Sequence, residues 1–549
     1  MDVSLSLSPH IIDALQPRRA HLVGIAGNGM RALADVLLGW GWSLSGSDLD
    51  IAPVQALAHA GVRLFAGHAA EHLPPDTELV VSSDAVPAAN PELRRAAELG
   101  IPTLSYFQML GRLGIGRRTV AIAGTHGKST VTAMLAHLLI EAGLDPTVVC
   151  GTAPLGASSG GRAGRSISPH LPGEGPGVRA GQGSGFRVQG LQSPNPCSPH
   201  PNPLPRGEGT DVADGSPLML VEACEYRANF LHLRPWQAAI LGIEPDHFDC
   251  YDSLAQLEDA FRRFAESIGG AVSRESPPPR NAPPLQWGGF EKWQELLGSH
   301  TSDGLLVARH DCQSTRRVTA GLKCRVESFG FSADADWSAQ TLGEDRGRFQ
   351  FEIRRFGRRL CEVQLPMPGE HNVLNALAAA ALAYKNGVSP DQISAGLASF
   401  PGLHRRLELL GNWRGVTLID DYAHHPTEVT AALAAVRRMA PRARMWCVFQ
   451  PHQASRTARL LDELAASLQN ADKVLVAEIF RAREGDPQPG EVTAADLARR
   501  AAELGVEVLS AHAANEIVET LETQLAPGDV LVTLGAGDME KLRLGEQGR

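Results

Sequence analysis

The stretch that decides the fold is Val120–Thr130, which reads Val-Ala-Ile-Ala-Gly-Thr-His-Gly-Lys-Ser-Thr. An apolar run breaks into the glycine-containing segment Gly124–Thr130, and a helix-like segment, Val131–Ala142, follows it. Strand, glycine turn and helix form a layout that binds phosphates, because backbone N–H groups and the positive end of the helix face the anion. Lys128 adds a positive charge, and the Ser129 hydroxyl can bind Mg²⁺. The stretch therefore predicts nucleotide triphosphate chemistry.

The loop departs from the commonest phosphate-binding pattern at one position. That pattern has a glycine about six residues before the lysine, and Ile122 stands there in this chain. An ordinary glycine turn is the alternative interpretation, but Gly-Lys-Ser at such a turn rarely occurs without a phosphate to bind. The loop residues predicted to bind the nucleotide are Gly124, Thr125, His126, Gly127, Lys128, Ser129 and Thr130.

Composition limits the class of protein. A chain of 549 residues is too long for one core and predicts about three domains. A hydrophobic content of 43% with a net charge of −10 indicates a soluble protein that does not bind nucleic acid non-specifically. Eight cysteines without a Cys-x-x-Cys pair argue against a zinc site or disulfide framework and fit a reducing cytoplasm. No signal peptide or membrane-spanning stretch is evident, so we expect no membrane association.

The first segment, residues 1–118, has the pattern of a Rossmann-like domain. The glycine turn Gly24-Ile-Ala-Gly-Asn-Gly-Met30 lies between strand and helix candidates, and the next strand candidate is followed by Asp48. A βαβ unit with an acid at that place is typical of dinucleotide-binding folds. Glycines that only permit tight packing are one alternative. A nicotinamide-dependent oxidoreductase is another, although it leaves Lys128 unexplained.

The second segment, residues 119–402, is predicted to be an α/β domain built around the phosphate loop. Its strand candidates Leu218–Ala223 and Ala238–Ile243 end in the acidic sequence Glu-Ala-Cys-Glu and in Glu-Pro-Asp-His. Ligands of open α/β sheets lie at the carboxyl ends of strands, so Glu222 and His247 are candidate metal ligands. Helix caps or ion pairs are the alternative roles for these side chains.

Two stretches interrupt this segment. Residues 157–216 are rich in proline and glycine and have almost no apolar periodicity, which predicts a disordered insertion. Residues 273–302 are rich in proline and are predicted to form a looped insertion. A functional lid is the alternative for either stretch.

The third segment, residues 403–549, again alternates strand and helix candidates and predicts a doubly wound α/β domain. Two polar blocks follow its strands, Asp420–Pro426 and Gln450–His452, where a ligand is expected. Arg406, near the start of the segment, can clamp a phosphate, or can be one of a solvated surface pair. His424 and His425 cannot both face the same way in an extended chain, so a metal site built from this pair alone is disfavoured.

Taken in order, these motifs resemble those of the Mur ligase family. The set comprises Gly-Thr-His-Gly-Lys-Ser-Thr, Glu-Ala-x-Glu, Asp-His, His-Asn-x-x-Asn, Asp-Asp-Tyr-x-His-His-Pro-Thr-Glu and Phe-Gln-Pro-His. The resemblance covers nearly the whole chain except the two insertions. It is greatest to the branch that joins L-alanine to UDP-N-acetylmuramate in peptidoglycan precursor synthesis.

The resemblance implies three domains that bind the UDP sugar, ATP with Mg²⁺, and the amino acid together with ATP. ATP would phosphorylate the substrate carboxylate, and the amine of L-alanine would attack the acyl phosphate. The residues implied to be catalytic are Lys128, Glu222, His247 and Arg406, and the metal ligands are Ser129, Glu222 and His247. Further nucleotide contacts implied are His371, Asn372, Asn375, Arg406 and Asp421. The implied substrate contacts are Gly27, Asn28, Gly29, Met30, Asp48, Ser82, Ser83, His424, His425, His452 and Arg456.

Two positions depart from the family pattern. Cys224 stands where an aspartate is usual, and Gln453 stands where an arginine is usual, with Arg456 as a nearby replacement. These departures keep a catalytically idle homologue open as an alternative, beside a recycling ligase that attaches a tripeptide to the same sugar nucleotide. We expect a cytoplasmic monomer or weak dimer whose partners are the small-molecule substrates.

Overall fold

The computed structural model describes residues 18–164, 216–269 and 304–537 apart from 483, 510 and 511, and also residues 539 and 544. Three α/β units follow one another along the chain, each built on its own sheet. The fold class predicted from the sequence is therefore confirmed. In the part of the chain that the structure describes, no helix is long and apolar enough to cross a membrane.

The N-terminal sheet has five parallel strands in the order β3-β2-β1-β4-β5. The strands are β1 (Arg19–Val23), β2 (Ser43–Asp48), β3 (Arg63–Ala66), β4 (Leu79–Ser82) and β5 (Thr103–Ser105). The helices are α1 (Asn28–Gly39), α2 (Gln55–His59), α3 (Pro91–Glu98) and α4 (Tyr106–Leu113). The chain order reverses at β1, so the glycine turn that follows β1 lies at the switch point where such sheets bind ligands.

Outside the two gaps at 165–215 and 270–303, the middle sheet has ten strands in the order β15-β14-β13-β12-β11-β10-β6-β9-β7-β8. The strands are β6 (Arg118–Ala123), β7 (Thr147–Val149), β8 (Gly161–Arg162), β9 (Leu218–Glu222), β10 (Gln237–Ile240), β11 (Leu305–Arg309), β12 (Arg325–Gly330), β13 (Trp337–Asp345), β14 (Arg348–Arg355) and β15 (Arg358–Pro368). The helices are α5 (Lys128–Glu141), α6 (Leu254–Glu266), α7 (Gln313–Thr319), α8 (Glu370–Lys385) and α9 (Pro390–Ala398).

The phosphate-loop helix α5 is buried on nearly all sides, because α8 and the sheet enclose it. Strand β6, which precedes the phosphate loop, lies between β9 and β10, and both of these neighbours run parallel to it. The carboxyl ends of these three strands therefore meet beside the loop, as the sequence predicted. The antiparallel strands β13–β15 extend the sheet at its far edge, and the sequence interpretation had no strands there.

The two predicted insertions fall mostly outside the described residues, which omit 165–215 and 270–303. Residues 157–164, which the prediction assigned to the first insertion, belong to the fold. Gly161 pairs with Val149, and the Trp40 indole Nε1 donates a hydrogen bond of 3.1 Å to the Gly164 carbonyl. The start of the predicted insertion is therefore wrong by these eight residues. A short strand was missed because it contains no apolar run.

Among the described residues, the C-terminal sheet has six strands in the order β16-β17-β21-β18-β19-β20, and its edge strand β16 runs antiparallel to β17 whereas the other pairs are parallel. The strands are β16 (Glu408–Trp413), β17 (Val416–Asp421), β18 (Met445–Phe449), β19 (Lys473–Val476), β20 (Val508–Leu509) and β21 (Val530–Leu534). The helices are α10 (Pro426–Met439), α11 (Ala454–Arg459), α12 (Leu461–Ser467), α13 (Ala494–Glu503) and α14 (Ala514–Gln524). One predicted helix over 455–468 is in fact the two short helices α11 and α12.

Candidate active site

The phosphate loop follows β6, inside the middle sheet, and leads into α5. Gly127 precedes the helix with a φ of 81°, in the left-handed region that favours glycine. A Cβ atom at this position would lie only 2.5 Å from Asn375 Oδ1 on α8. Glycine is therefore needed both for the turn and for the close approach of the two elements.

Lys128 is held inside its own loop. Its Nζ donates hydrogen bonds to the Gly124 and Thr125 carbonyls at 2.6 and 3.2 Å and to the Glu225 carboxylate at 3.0 and 3.1 Å. Burial alone would lower the pKa of Lys128, but the Glu225 carboxylate outweighs burial and raises this pKa. The lysine is therefore charged, and a bound phosphate would compete with Glu225 for it.

Glu225 connects the loop to the Asp-His segment. Its side chain is 1% exposed, and its Oε1 lies 3.5 Å from His247 Nε2. Burial would raise the pKa of Glu225, but Lys128 and then His247 hold it below the ordinary value. The sequence interpretation grouped Glu225 with Glu222 and assigned metal binding to Glu222. The structure gives Glu225 a place between two of the predicted catalytic residues, Lys128 and His247.

Glu222, at the end of β9, contacts the other side of the loop. Ser129 Oγ donates a hydrogen bond of 2.5 Å to Glu222 Oε1, and the Gly151 N–H donates to Oε2 of the same carboxylate. A hydroxyl and a carboxylate beside a phosphate loop are hard oxygen donors of the kind that Mg²⁺ prefers. These residues fit a magnesium ion. His247, the third predicted ligand, lies beside Glu225 instead, with its ring packed edge-on against Tyr226.

A cavity of about 620 Å³ opens beside the loop between the middle and C-terminal sheets. His371 and Asn375 of α8 line it with Gly127, and burial lowers the pKa of His371 to about 4, so its imidazole is neutral. Asn375 Nδ2 donates to Asn372 Oδ1 at 3.1 Å. Asn372 Nδ2 in turn donates to the Pro368 carbonyl at 2.7 Å, which fixes the start of α8. The predicted nucleotide contacts on α8 therefore do converge with the loop.

Arg406 and Asp421 reach the same cavity from the C-terminal unit. The Asp421 carboxylate accepts hydrogen bonds from the Leu407 and Ala423 N–H groups at 2.7 and 2.8 Å, which holds Arg406 in place. Burial raises the pKa of Asp421 to about 6, and the charge of Arg406 offsets this only in part. The Arg406 guanidinium carbon also lies 5.4 Å from the Tyr422 ring centroid and faces a second, larger cavity.

The larger cavity, of about 1100 Å³, is shared by all three units. Asn28 comes from the N-terminal unit, Ser129 from the phosphate loop, and Arg406 and Tyr422 from the C-terminal unit. A cavity lined by all three units can hold a substrate that each unit contacts at a different part.

The predicted substrate contacts of the N-terminal unit mostly shape the turn after β1. Asp48 accepts a hydrogen bond of 2.9 Å from the Ala26 N–H, so it braces the glycine turn. A Cβ atom at Gly29 would lie 2.9 Å from the Tyr106 ring, which explains the glycine there. Met30 is 2% exposed and packs in the N-terminal core. The remaining predicted residues cluster at the same turn, and they are Gly27 before α1 and the pair Ser82 and Ser83 at the end of β4.

Arg456 ties the C-terminal unit to the middle unit. Its guanidinium donates a hydrogen bond of 2.5 Å to Asp246 Oδ1, and the two side chains are 5% and 7% exposed. His452 Nδ1 lies 3.4 Å from Arg456, and the His424 ring packs edge-on against His452. Burial lowers the pKa of His424 to about 4. These predicted substrate residues therefore meet next to His247, at the interface between the two units.

His425 takes the opposite direction from His424. Its ring centroid lies 4.7 Å from that of His126 in the phosphate loop. Two acids complete this contact, Glu244 after β10 and Glu428 in α10, and neither was predicted as a site residue. The Glu428 position could have been found, because it lies three residues after the cap residue of α10, in a capping box. Glu244 carried the signal used for His247, because it is the first polar residue after the same predicted strand.

The structure shows the surroundings of the two residues that depart from the family pattern. Burial raises the pKa of Cys224 to about 12, so the structure holds a neutral thiol where a carboxylate is usual. Gln453 has a φ of 66° and precedes α11, whose first N–H groups donate to the Glu484 carboxylate at 2.6 and 3.0 Å. Arg456 is committed to Asp246, so it does not stand free in place of the missing arginine.

Fold and site together define a three-domain α/β protein with a phosphate loop at the junction of its domains. Three sequence-family models match it: "Mur ligase family, catalytic domain" at 19–118, "Mur ligase middle domain" at 290–383 and "Mur ligase, glutamate ligase domain" at 405–537. A curated UDP-N-acetylmuramate–L-alanine ligase of Clostridium novyi is 34% identical over 96% of this chain and 96% of its own. The chain belongs to the Mur ligase family.

Solved structures agree on the fold. The UDP-N-acetylmuramate–alanine ligase of Thermotoga maritima superimposes with a TM-score of 0.68 at 22% identity, covering 95% of this chain and 97% of its own. A murein peptide ligase of Psychrobacter arcticus gives a TM-score of 0.62 at 24% identity, covering 96% and 97%. At these identities the likeness supports the three-domain architecture alone.

Proposed function

We propose that this protein joins L-alanine to the carboxylate of UDP-N-acetylmuramate with hydrolysis of ATP, as a step of peptidoglycan precursor synthesis. The observation that carries the proposal is the 34% identity, over 96% of both chains, to a ligase named for this reaction. The cavity shared by the three units supports it, because the reaction needs a sugar nucleotide, a triphosphate and an amino acid in one place.

The phosphate loop supplies most of the charge stabilisation in this proposal. N–H groups at the start of α5 face the phosphates, and Lys128 leaves Glu225 to contact the β- and γ-phosphates. Ser129 and Glu222 would hold Mg²⁺, which neutralises negative charge on the phosphates when it is bound. Arg406, which lines both cavities, adds a second positive charge from the C-terminal unit.

The reaction consists of two displacements, the first at the γ-phosphorus of ATP and the second at the acyl carbon. A carboxylate oxygen of the sugar nucleotide attacks the γ-phosphorus of ATP, and ADP leaves. The alanine amine then attacks the acyl carbon, phosphate leaves with the C–O electron pair, and the amine loses a proton. Positioning and charge stabilisation account for such transfers, and both act best where water is excluded.

The nucleotide base is proposed to lie in the smaller cavity. Neutral His371 and the Asn375 amide can contact a purine there, while Arg406 lies between this cavity and the larger one. His424, His452 and Arg456 lie at the interface where the amino acid is expected. We infer that this interface closes around the amino acid, and that the C-terminal unit excludes water as it does so.

The test is phosphate release measured with a panel of substrates. The proposal expects release that requires ATP, Mg²⁺, UDP-N-acetylmuramate and L-alanine together, with the ligated product detected by mass spectrometry. No stimulation by the sugar nucleotide or by alanine would overturn it.

A second candidate is ligation of a tripeptide to the same sugar nucleotide. The sequence motifs left this reaction open as an alternative, so the tripeptide belongs in the panel. The two candidates are separated by turnover with alanine and with an alanyl tripeptide at equal concentration. Faster turnover with the tripeptide would replace the first proposal with the second.

We further propose that the protein works in the cytoplasm, where ATP and UDP sugars are present, and acts as a monomer or weak dimer. Light scattering coupled to size-exclusion chromatography measures the oligomeric state. A stable tetramer or larger assembly would contradict it.

A further inference from the structure

Two histidines and a glutamate meet where the phosphate loop contacts the C-terminal unit. Within the described residues, ligand atoms of His126, Glu244 and His425 all lie within 4.8 Å of one another. His126 Nε2 and His425 Nδ1 lie 3.4 and 3.7 Å from the same oxygen, Glu244 Oε2. Ligands bound tetrahedrally to zinc at about 2.0–2.1 Å lie about 3.3 Å apart, so small side-chain shifts would bring these three atoms onto one ion.

The outer nitrogen of each imidazole already has a partner. His126 Nδ1 lies 3.1 Å from Glu428 Oε1, and His425 Nε2 lies 3.3 Å from the Pro245 carbonyl oxygen. Metal-binding histidines are typically oriented in this way, by a carboxylate or a backbone carbonyl on the nitrogen that does not bind the metal. Both rings are thereby fixed with their inner nitrogens towards Glu244.

The inner nitrogens make only long contacts, and a bound ion would replace the proton of His126, whose pKa Glu428 and Glu244 raise to about 9 against the effect of burial. His126 Nε2 is buried and has no hydrogen-bond partner among the described residues. His425 Nδ1 accepts a hydrogen bond of 3.4 Å from the Thr427 N–H as the cap of α10, and a bound ion would replace this hydrogen bond. Glu244 Oε2 accepts a hydrogen bond of 2.5 Å from Thr427 Oγ1, and this hydroxyl can remain bound to a carboxylate that also binds a metal.

We propose that His126, Glu244 and His425 form a binding site for a divalent transition metal ion of the zinc type. Two imidazoles and one carboxylate favour Zn²⁺ over Mg²⁺, because Mg²⁺ prefers oxygen ligands alone. The site is distinct from the Ser129–Glu222 pair proposed for Mg²⁺. A fourth position faces the smaller cavity, which His126 and Glu244 help to line.

The ion would link two units of the protein. His126 and Glu244 belong to the middle unit, whereas His425 is the cap residue of α10 in the C-terminal unit. A bound ion therefore favours the arrangement in which the phosphate loop and α10 are in contact. This inference goes beyond the ligase activity and does not depend on it.

The test is titration of the full chain with Co²⁺ alone, without nucleotide, followed by visible absorption. We expect one equivalent of Co²⁺ to give the intense d–d bands of a four- or five-coordinate ion, and Zn²⁺ to abolish them. His425→Gln and Glu244→Gln should each weaken binding by at least about tenfold, and Glu428→Gln, which removes the outer partner, by about tenfold.

The matched control is His404→Gln. His404 also contacts a glutamate, with its Nδ1 3.1 Å from Glu408 Oε1, but its side chain is 45% exposed. This variant should bind Co²⁺ like the wild type. In addition, Zn²⁺ should raise the melting temperature of the wild type and of His404→Gln, and not that of His425→Gln.

Three results would overturn the proposal. They are absence of Co²⁺ bands in the wild type, unchanged binding in both His425→Gln and Glu244→Gln, and a sulfur-to-cobalt charge-transfer band, which would assign the ion to cysteines. Circular dichroism establishes that each variant is folded. The two ligand variants alter different units, so a folding failure of one leaves the other as the test.

Discussion

Two buried glutamates show how similar groups serve different purposes in this protein. Glu92, in the N-terminal unit, accepts hydrogen bonds from Ser47 Oγ at 2.5 Å and contacts His21 Nε2 at 3.0 Å, and all three side chains are fully buried. Glu225, beside the phosphate loop, contacts Lys128 and His247, whose side chains are 18% and 21% exposed. Burial would raise both glutamate pKa values, and the basic partners hold both low.

The difference lies in where the partners are placed. Besides Ser47 and His21, Glu92 contacts His68 and His72, whose side chains are 17% and 23% exposed, and all four belong to the N-terminal unit, so these contacts stabilise that unit. Glu225 instead pairs with Lys128 of the phosphate loop, and Lys128 can exchange Glu225 for an arriving anion. A buried carboxylate is therefore a poor guide to function until the place of its partners in the fold is known.

The largest expected effect is that of Lys128→Ala on turnover. Loss of the charge that contacts the phosphates should lower kcat by at least about 10²–10³-fold. The substitution also leaves Glu225 buried with His247 as its remaining partner, so the melting temperature should fall. The control is Lys128→Ala with Glu225→Gln, which should regain stability without regaining turnover. Recovery of turnover in the double variant would show that Lys128 acts only by neutralising Glu225.

The next effect is that of Glu92→Ala on stability. It removes the acceptor shared by Ser47, His21 and the Ala69 N–H, so the free energy of unfolding should fall by about 3–5 kcal/mol. Denaturant unfolding measures this loss, and kcat of the folded protein should change little. A loss of turnover as large as that of Lys128→Ala, in folded protein, would erase the distinction between the two networks.

A third buried carboxylate sharpens the comparison, because its pKa moves in the other direction. Burial raises the pKa of Asp421 from 3.8 to about 6. Folding therefore favours its protonated form, and this stabilisation is fully present below pH 3.8 and lost as the pH rises through about 6. Relative to Asp421→Asn, the wild type should lose roughly 2 kcal/mol of unfolding free energy between pH 4 and pH 7. If the difference in unfolding free energy between the two proteins stayed constant across this pH range, it would contradict the raised pKa of Asp421.

The smallest effect is expected from excision of residues 165–215. Replacing them with a short Gly-Ser linker keeps β8 and the Trp40 contact to Gly164, so neither stability nor turnover should change appreciably. The matched deletion of 157–216 removes that strand and should lower the melting temperature by several degrees. Equal melting temperatures of the two deletion variants would mean that β8 contributes nothing to stability. A large loss of stability or turnover in the first variant would assign a role to residues 165–215.

The sequence predicted the parts of the site that follow from local rules. Strands ending in polar residues and a glycine loop before a helix placed Lys128, Glu222 and His247 near one another, because parallel strands align their carboxyl ends. The Glu92 network could not be predicted, since it joins residues from separate strands and a helix. The contact of His126 with His425 depends on how two sheets face each other, and no sequence periodicity carries that information. The metal site proposed above uses His425 without His424, so it leaves untested our expectation that these two histidines alone do not bind a metal.

Strands β13–β15 escaped the sequence interpretation for another reason. Their residues are rich in arginine and glutamate, and β14 carries exposed polar side chains between buried ones. Charged residues are depleted in strands, so propensity argued against these elements. An ion pair between opposite charges joins the two strands, since Arg359 of β15 contacts Glu352 of β14 at 3.0 Å, and Arg354 contacts the same carboxylate from within β14.

The ion pair between Asp246 and Arg456 has a consequence for how the enzyme turns over. Both groups lose their hydration when the units meet, and this cost offsets most of their attraction. The pair therefore favours one mutual orientation of the two units while adding little to the stability of that arrangement. In the closure that we propose, such a contact brings the two units back to the same alignment without holding them together strongly.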